Sequence, residues 1–295
     1  MDELAERFEA ERGRLRGLAH RMLGSATEAD DAVQEAWLRL SRARGVDNVA
    51  AWLTTVVARV CLDALRSRKA RREDPVELLP EPAADADPAG EVELADSVGR
   101  ALLVVLDALG PAERVAFVLH DLFAVPFDRI APVLDRTPVA AKKLASRARH
   151  RVRGTSPLPA TDLARHRRVV DAFLTAARGG DLDELLTVLA PDVVRRADAA
   201  ALPVGASLEV RGARAVADET QVFGKRAHFA EPALIDGFVG VVVAPRGRLT
   251  LALLVTIEGE RVAGYDVIAD PARLAALRIT LVTAAPPRPE PAPAG

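Results

Sequence analysis

The sequence predicts a multidomain chain of two all-α domains, a helical bundle and then a helix-turn-helix, followed by an α+β domain. Three observations predict it. Apolar residues recur at helical spacing through the first half of the chain, and a stretch rich in Pro, Ala, Asp and Glu interrupts that pattern at residues 75–90. From Val193 onward, strand-like runs separated by hairpin-type turns replace it. A length of 295 residues accommodates several cores, since one usually organises ~100 to 200 residues.

Residues 1–75 form the first domain. Leu4, Phe8, Leu15, Leu18 and Met22 make one apolar stripe. After Gly24, Ser25 with Glu28, or Thr27 with Asp30, offers a capping arrangement for a second helix lined by Ala29, Val33, Ala36, Trp37 and Leu40. Arg42 to Asn48 reads as a loop. A third helix runs from about Val49 to Arg72, with Trp52, Val56, Val60 and Leu65 among its apolar positions and a basic C-terminal end. Residues 76–97 are read as a linker. Residues 98–153 form the second domain, where periodicity resumes at Val98, Leu102, Val105, Leu106 and Leu109 and breaks at Gly110-Pro111. Helices are then expected over Pro111–Phe123, Pro126–Leu134 and Pro138–Arg153.

A short linker, 154–161, precedes the third domain, 162–283. Two helices are expected there, Asp162–Arg178 and Leu182–Leu189, followed by strands over Val193–Arg196, Phe238–Val243, Leu249–Ile257 and Val262–Ile268. Asp236-Gly237 and Glu258-Gly259-Glu260 read as the turns between them. Helices followed by a mainly antiparallel sheet give the α+β class. The tail, 284–295, is rich in Pro and Ala and is expected to be disordered.

Composition excludes several function classes. With 40 Lys plus Arg against 42 Asp plus Glu the net charge is −2, so any nucleic-acid contact must come from a local basic patch. Cys61 is the only cysteine, which excludes an intrachain disulfide and a cysteine-based zinc cage and fits a reducing compartment. No metal or cofactor is expected. Met1–Glu11 is acidic and amphipathic rather than a basic segment leading an apolar run, so no secretory signal is read there. The longest apolar stretches, such as Leu249–Ile257, fall short of the roughly 18 residues that span a bilayer. The expectation is a cytoplasmic protein with no membrane partner.

Phe127–Leu134, the turn at Asp135–Thr137 and the helix opening at Pro138 have helix-turn-helix spacing, with proline at the first helical position where its missing N–H costs nothing. Residues about 100° apart on the last helix put Ala141, Leu144, Ala145, Ala148 and Val152 on one face. Lys142, Lys143, Arg147, Arg149, His150, Arg151 and Arg153 occupy the rest, and no Asp or Glu occurs between Asp135 and Asp162. That surface suits a recognition helix, whose first turns reach base edges while other cations hold phosphates. The same pattern alone also fits a solvated amphipathic helix.

More specific signals lie upstream. Arg21–Leu40, RMLGSATEADDAVQEAWLRL, resembles the part of sigma region two that docks on the RNA polymerase clamp. Ala51–Arg72, AWLTTVVARVCLDALRSRKARR, resembles the region-two helix that melts and reads the minus-ten promoter element. Pro111–Val152 resembles region four, which reads the minus-thirty-five element. Leu79-Pro80-Glu81-Pro82 is similar to a short signature of SigJ-like factors, whose members usually carry Trp where Leu78 stands. Asp162–Leu277 resembles the SnoaL-like domain fused to that subgroup. The chain thus resembles extracytoplasmic-function (ECF) sigma factors of the SigJ-like type along nearly its whole length.

The resemblance implies core RNA polymerase (clamp and flap) and promoter DNA as partners, a protein that is monomeric when free, and no catalytic residues. Asp31, Gln34 and Glu35 would contact the polymerase, together with Asp30 forming an acidic, hydrogen-bonding helix face. Arg59, Asp63, Arg66, Arg68 and Lys69 would face minus-ten DNA, with Arg71 and Arg72 beside them. The loop Arg42–Asn48 would hold a flipped base. Many relatives have Asn where Val60 stands, a departure bearing on promoter preference. Pro138, Val139, Lys142, Lys143, Ser146, Arg147 and His150 would read the minus-thirty-five element. Trp37 and Trp52 sit at core spacing and are read as packing residues. The SnoaL-like domain implies a cone-shaped α+β fold with a pocket, and a regulatory role carried by Leu79, Pro80, Glu81, Pro82 and by Asp270, Pro271 and Leu274 within Asp270-Pro271-Ala272-Arg273-Leu274.

Two other readings remain open at this level. Relatives of that fold elsewhere are isomerases, cyclases or hydrolases, for which Asp198, His228 and Asp266 are the candidate acid-base groups. Where the subgroup has a glycine-rich stretch, this chain has Asp198-Ala199-Ala200-Ala201. A stand-alone repressor using the same helix-turn-helix would bind an operator as a dimer without polymerase, but no dimerisation helix is evident.

Overall fold

The computed structural model describes residues 2–73, 99–222 and 224–282. The linker reading, the Leu79–Pro82 signature and the C-terminal tail lie outside the described residues. The chain divides into a mainly helical unit, Met1–Val152 together with Ala244–Arg248, and an α+β unit made of Arg153–Val243 and the chain from Leu249 on.

In the helical unit, α1 (Asp2–Leu23), α2 (Ala26–Leu40) and α3 (Val49–Glu73) form the first bundle. Leu15, Leu18 and Met22 are fully buried, as the stripe predicts. Ser25 is the cap of α2 and accepts the Glu28 amide at 3.4 Å, which selects the first of the two capping alternatives. On α3 the buried face is Leu53, Val57, Cys61, Leu62 and Leu65, while Trp52, Val56 and Val60 are half-buried. The face of α3 turned to α1 and α2 is therefore shifted by one residue from the expected one, with Leu65 common to both.

Next come α4 (Arg100–Asp107) and α5 (Pro111–Phe117), the latter continuing through a π-helical turn, Val118–Leu122. Beyond it, α6 (Phe127–Leu134) and α7 (Pro138–Val152) form the helix-turn-helix. Asp135 ends α6 in the left-handed region, φ 53°, a conformation that Asp tolerates better than most residues. Arg114 on α5 is 3% exposed and donates to Asp107 Oδ1 at 3.3 Å and to the Arg21 carbonyl at 3.5 Å. Burial pulls its guanidinium down to about 10 despite Asp107. The two helical modules thus meet around a buried cation.

The second unit begins with α8 (Ala160–Gly179) and α9 (Leu182–Val188), capped by the Asp181 carboxylate. Its sheet contains β1 (Leu189–Ala197), β2 (Glu209–Arg211), β3 (Ala230–Ile235), β4 (Phe238–Val243), β5 (Leu251–Glu258), β6 (Arg261–Ile268) and β7 (Ile279–Thr280), in the order β2-β1-β6-β5-β4-β3-β7. Every pairing is antiparallel except β1 with β6. Three helices decorate it: α10 (Ala213–Val222), α11 (Gly224–Ala227) and α12 (Pro271–Ala276). Asp236 (φ 52°) and Gly237 (φ 93°) form the two-residue turn joining β3 to β4, both left-handed as that hairpin requires. At Gly264 a Cβ would lie 2.9 Å from the Val194 carbonyl oxygen, so only glycine permits this close approach of β1 to β6. The core packs α8 against the sheet through Val170, Phe173 and Leu174, meeting Val241 and Tyr265.

Candidate nucleic-acid interface

Helix α7, the expected recognition helix, buries Ala141, Ala145, Ala148 and Val152, half-buries Ala140, Leu144 and Arg149, and exposes the rest. Thr137 Oγ1 accepts the Ala140 amide at 3.3 Å, fixing the start of the helix. Pro138, Lys142, Lys143, Ser146, Arg147 and His150 are all exposed, and Val139 is 65% exposed. None of these side chains has an ion-pair partner among the described residues. An apolar side chain held out at the first turn of such a helix suits contact with a thymine methyl.

Two cations on the same helix are committed elsewhere. Arg149 makes a bidentate pair with Asp121, at 2.6 and 3.1 Å, and Arg151 reaches Glu113 at 2.6 Å. Hydrogen bonding to Asp121 holds the Arg149 guanidinium more firmly protonated than usual. Both arginines therefore tie α7 back to α5 and the π-helical turn, and the free positive edge narrows to Lys142, Lys143, Arg147 and His150. Two carboxylates elsewhere in the fold, invisible in local charge spacing, make this division.

On α3 the expected DNA-facing residues divide as well. Arg59 and Lys69 are exposed, and Asp63 pairs loosely with Arg66 at 3.8 Å. Arg59 donates to the Pro132 carbonyl at 3.0 Å, at the end of α6. Arg68 departs from the expectation. It is half-buried, donates to the Leu23 carbonyl at 2.8 Å and pairs closely with Glu28, so it clamps the α1–α2 corner and is withdrawn from the DNA-facing set. In the Arg42–Asn48 loop, Asn48 Oδ1 accepts the Ala51 amide at 2.9 Å and caps α3, a structural task for one end of the segment expected to capture a base. Trp37 packs on Phe8 with ring centroids 4.9 Å apart, in line with a packing role. Cys61 is buried and its thiol is pushed up to about 12 by desolvation, which leaves it inert.

The acidic face of α2 is partly self-neutralised. Asp30 pairs with Arg16 at 2.7 Å and Glu35 with Arg39 at 2.8 Å, whereas Asp31 and Gln34 are exposed and have no side-chain partner among the described residues.

In the second unit the three acid-base candidates are not brought together. Asp198 is a staple: its carboxylate accepts the amides of Ala201 (3.1 Å), Ala269 (2.9 Å) and Asp270 (2.9 Å), with Arg273 3.6 Å away. Burial works against its charge, but the three amides and Arg273 outweigh that and hold it below its ordinary value of 3.8. Asp270 in turn caps α12 by accepting the Arg273 amide at 2.9 Å, with Pro271 in the first turn and Leu274 half-buried. The Asp270–Leu274 motif is thereby joined to the turn after β1. His228 is exposed, and Asp266 lines a different hollow, near His166. Asp198→Ala is expected to cost this unit about 2 kcal/mol, read as a lowered thermal midpoint, because it strands three amides. Since the folded carboxyl titrates below 3.8, that contribution is present above the unfolded value and disappears as pH falls through the folded one. Among the described residues no helix is long and apolar enough to cross a membrane, and no three His, Cys, Asp or Glu side chains cluster as metal ligands.

Comparison with known proteins decides the assignment. Sigma-70 region 2 matches residues 7–71, and Sigma-70, region 4 matches residues 99–152. A Mycobacterium tuberculosis protein described as a probable ECF RNA polymerase sigma factor, SigI, is 35% identical over 293 residues, covering 95% of this chain and 98% of its own length. The chain belongs to the ECF RNA polymerase sigma factors. The ECF sigma factor SigJ of the same organism is 41% identical over 249 residues, 80% of each chain. Its crystal structure, 33% identical in the aligned part, covers 92% of this chain with a TM-score of 0.45. The match to SigI runs through most of the α+β unit, so that unit is shared with full-length relatives. Sigma factors bind core RNA polymerase and promoter DNA and are not enzymes.

Proposed function

We propose that this sigma factor joins core RNA polymerase in the cytoplasm, reads the minus-ten and minus-thirty-five elements, and melts the promoter to start transcription. The observation that carries this reading is the division of labour on α7, where two arginines secure the helix while Lys142, Lys143, Arg147 and His150 remain exposed beside an outward-facing Val139. In this reading Pro138, Val139, Lys142, Lys143, Ser146, Arg147 and His150 contact the upstream element, and Arg59, Asp63, Arg66 and Lys69 face the melting one. Asp31 and Gln34 dock on the polymerase clamp, with Glu35 available once Arg39 releases it, and region four meets the flap. The free protein is monomeric.

The contact of Arg59 with Pro132 supports a further point. Two elements about 25 base pairs apart along B-DNA are about 85 Å apart, so two modules packed together through α3, the Arg59–Pro132 hydrogen bond, the buried Arg114 and the Arg21–Phe123 contact must part on loading. The α+β domain, with its Asp198–Asp270 staple, regulates that transition.

Asp31→Ala with Gln34→Ala is expected to weaken association with core polymerase about tenfold while leaving the thermal midpoint unchanged, since both side chains are solvated and unpaired. Fluorescence anisotropy against purified core measures this, and unchanged affinity removes these residues from the docking surface. Truncation after Arg153 tests the regulatory reading. Promoter-directed transcription by the shortened chain should differ from that of the full chain, and equal activity would exclude a regulatory role.

A further inference from the structure

The α+β unit contains a partly open cavity of about 110 Å³ lined by α8, α10 and the face of β4, β5 and β6. Its wall is mainly apolar and includes Phe173, Leu174, Val241, Leu253 and Val267. For scale, an apolar cavity of about 150 Å³ takes up benzene. The space is somewhat smaller than that but open on one side, so it admits one small ring at most and not an extended chain.

Polar side chains enter this wall in three places: the Arg195–Glu219 pair, the Tyr265–Thr220 pair, and the exposed Arg226, which is itself engaged in an interaction of its own. Arg195, 2% exposed, donates Nε to Glu219 at 2.8 Å and Nη1 to the carbonyls of Ser207 and Leu208 at 2.9 and 3.3 Å, while Nη2 pairs closely with the same carboxylate. The buried Arg195 and the half-buried Glu219 are spent on each other and on the backbone, so neither is available to receive a charged guest. The second place is the Tyr265 hydroxyl, 3.2 Å from Thr220 Oγ1. Thr220 Oγ1 also lies 2.7 Å from the Val216 carbonyl. A carbonyl only accepts, so the single threonine proton is committed there. Tyr265 must then donate its own proton to Thr220. Its oxygen keeps acceptor capacity that no described residue uses. Burial supports this arrangement by pushing the phenol up to about 12, so it stays protonated.

We propose that this cavity is a binding site for a small uncharged ring molecule bearing a hydrogen-bond donor, which the Tyr265 oxygen accepts. An unsatisfied acceptor at the end of an apolar slot selects a donor and rejects a ligand that brings only another acceptor. Charge is rejected because Arg195, Glu219 and Arg226, the charged side chains of the wall, are already engaged, so a charged guest would not recover its desolvation cost. The site is separate from the DNA- and polymerase-facing residues, and binding can be measured without polymerase or DNA. Its failure would leave the promoter-reading assignment untouched, and the reverse holds too.

The test titrates the full chain with phenol, anisole, toluene and benzoate, following methyl NMR shifts of leucine and valine. Phenol is expected to shift Leu174, Val241 and Leu253 and to bind about fivefold more tightly than anisole or toluene, with benzoate not binding. Tyr265→Phe should leave toluene affinity unchanged and reduce phenol to the toluene level. Ala201→Leu, which fills the cavity from the turn after β1, should abolish binding of all the neutral probes; if it fails to fold, Val267→Phe fills the same space from the sheet. The proposal is overturned if no neutral probe shifts the lining methyls, if anisole matches phenol, if Tyr265→Phe leaves the phenol preference intact, or if benzoate binds best.

Discussion

Glu219→Ala is expected to lower the stability of the α+β unit by about 3 to 5 kcal/mol, the range for leaving one member of a buried pair without its partner. Arg195 is 2% exposed and has its Nε and Nη2 on this one carboxylate. Removing the carboxylate leaves a cation inside an apolar wall with only two backbone carbonyls. The thermal midpoint of the unit should fall by on the order of 10 °C. Arg195→Met with Glu219→Leu should recover most of the loss, because replacing both charges by apolar groups of similar volume removes the desolvation cost along with the attraction. Calorimetry of the two variants measures this. Equal destabilisation by the double and single variants would show that volume rather than charge decides.

The second large effect is on promoter reading. Arg147→Ala should reduce specific transcription about 10- to 100-fold, in line with about 1 to 3 kcal/mol for a base-contacting cation, while core-polymerase affinity and thermal midpoint stay unchanged. Arg149→Ala should do the opposite: it breaks the bidentate pair with Asp121 and destabilises the helix-turn-helix without altering which promoters are chosen. Transcription and melting assays on both variants separate the roles. A drop in specificity with Arg149→Ala and none with Arg147→Ala would reverse the assignment of the two faces.

The helical half was legible because its signals are local. Stripes such as Leu15, Leu18 and Met22, the Ser25 cap and the Gly110-Pro111 break each lie within one or two turns of helix. In the α+β half, β4, β5 and β6 were readable as apolar runs closed by recognisable turns. The strand Ala230–Ile235 was not, because Pro232 argues locally against a strand and Glu231 interrupts the apolar run. The short strands Glu209–Arg211 and Ile279–Thr280 carry too few residues for any period to show.

Site residues followed the same divide. The recognition helix could be placed from its charge pattern, but the commitment of Arg149 and Arg151 depends on Asp121 and Glu113, 28 and 38 residues away. Arg68 looked like one more cation in a basic run, and only the fold reveals its pairing with Glu28, 40 residues upstream. Asp198, a candidate acid-base group by residue type, proved to be a backbone staple across 71 and 72 residues of sequence. Tyr265 and Thr220 carried no local signal at all, since the pair spans 45 residues and exists only where β6 faces α10.

Run-off transcription with purified core RNA polymerase and the full chain, with transcript 5′ ends mapped on genomic DNA, tests the central claim most directly. The account predicts transcripts from defined start sites that appear only when this chain is present, with shared sequence elements upstream of them. Absence of any chain-dependent start, together with tight binding of the chain alone to a two-half-site duplex, would contradict it.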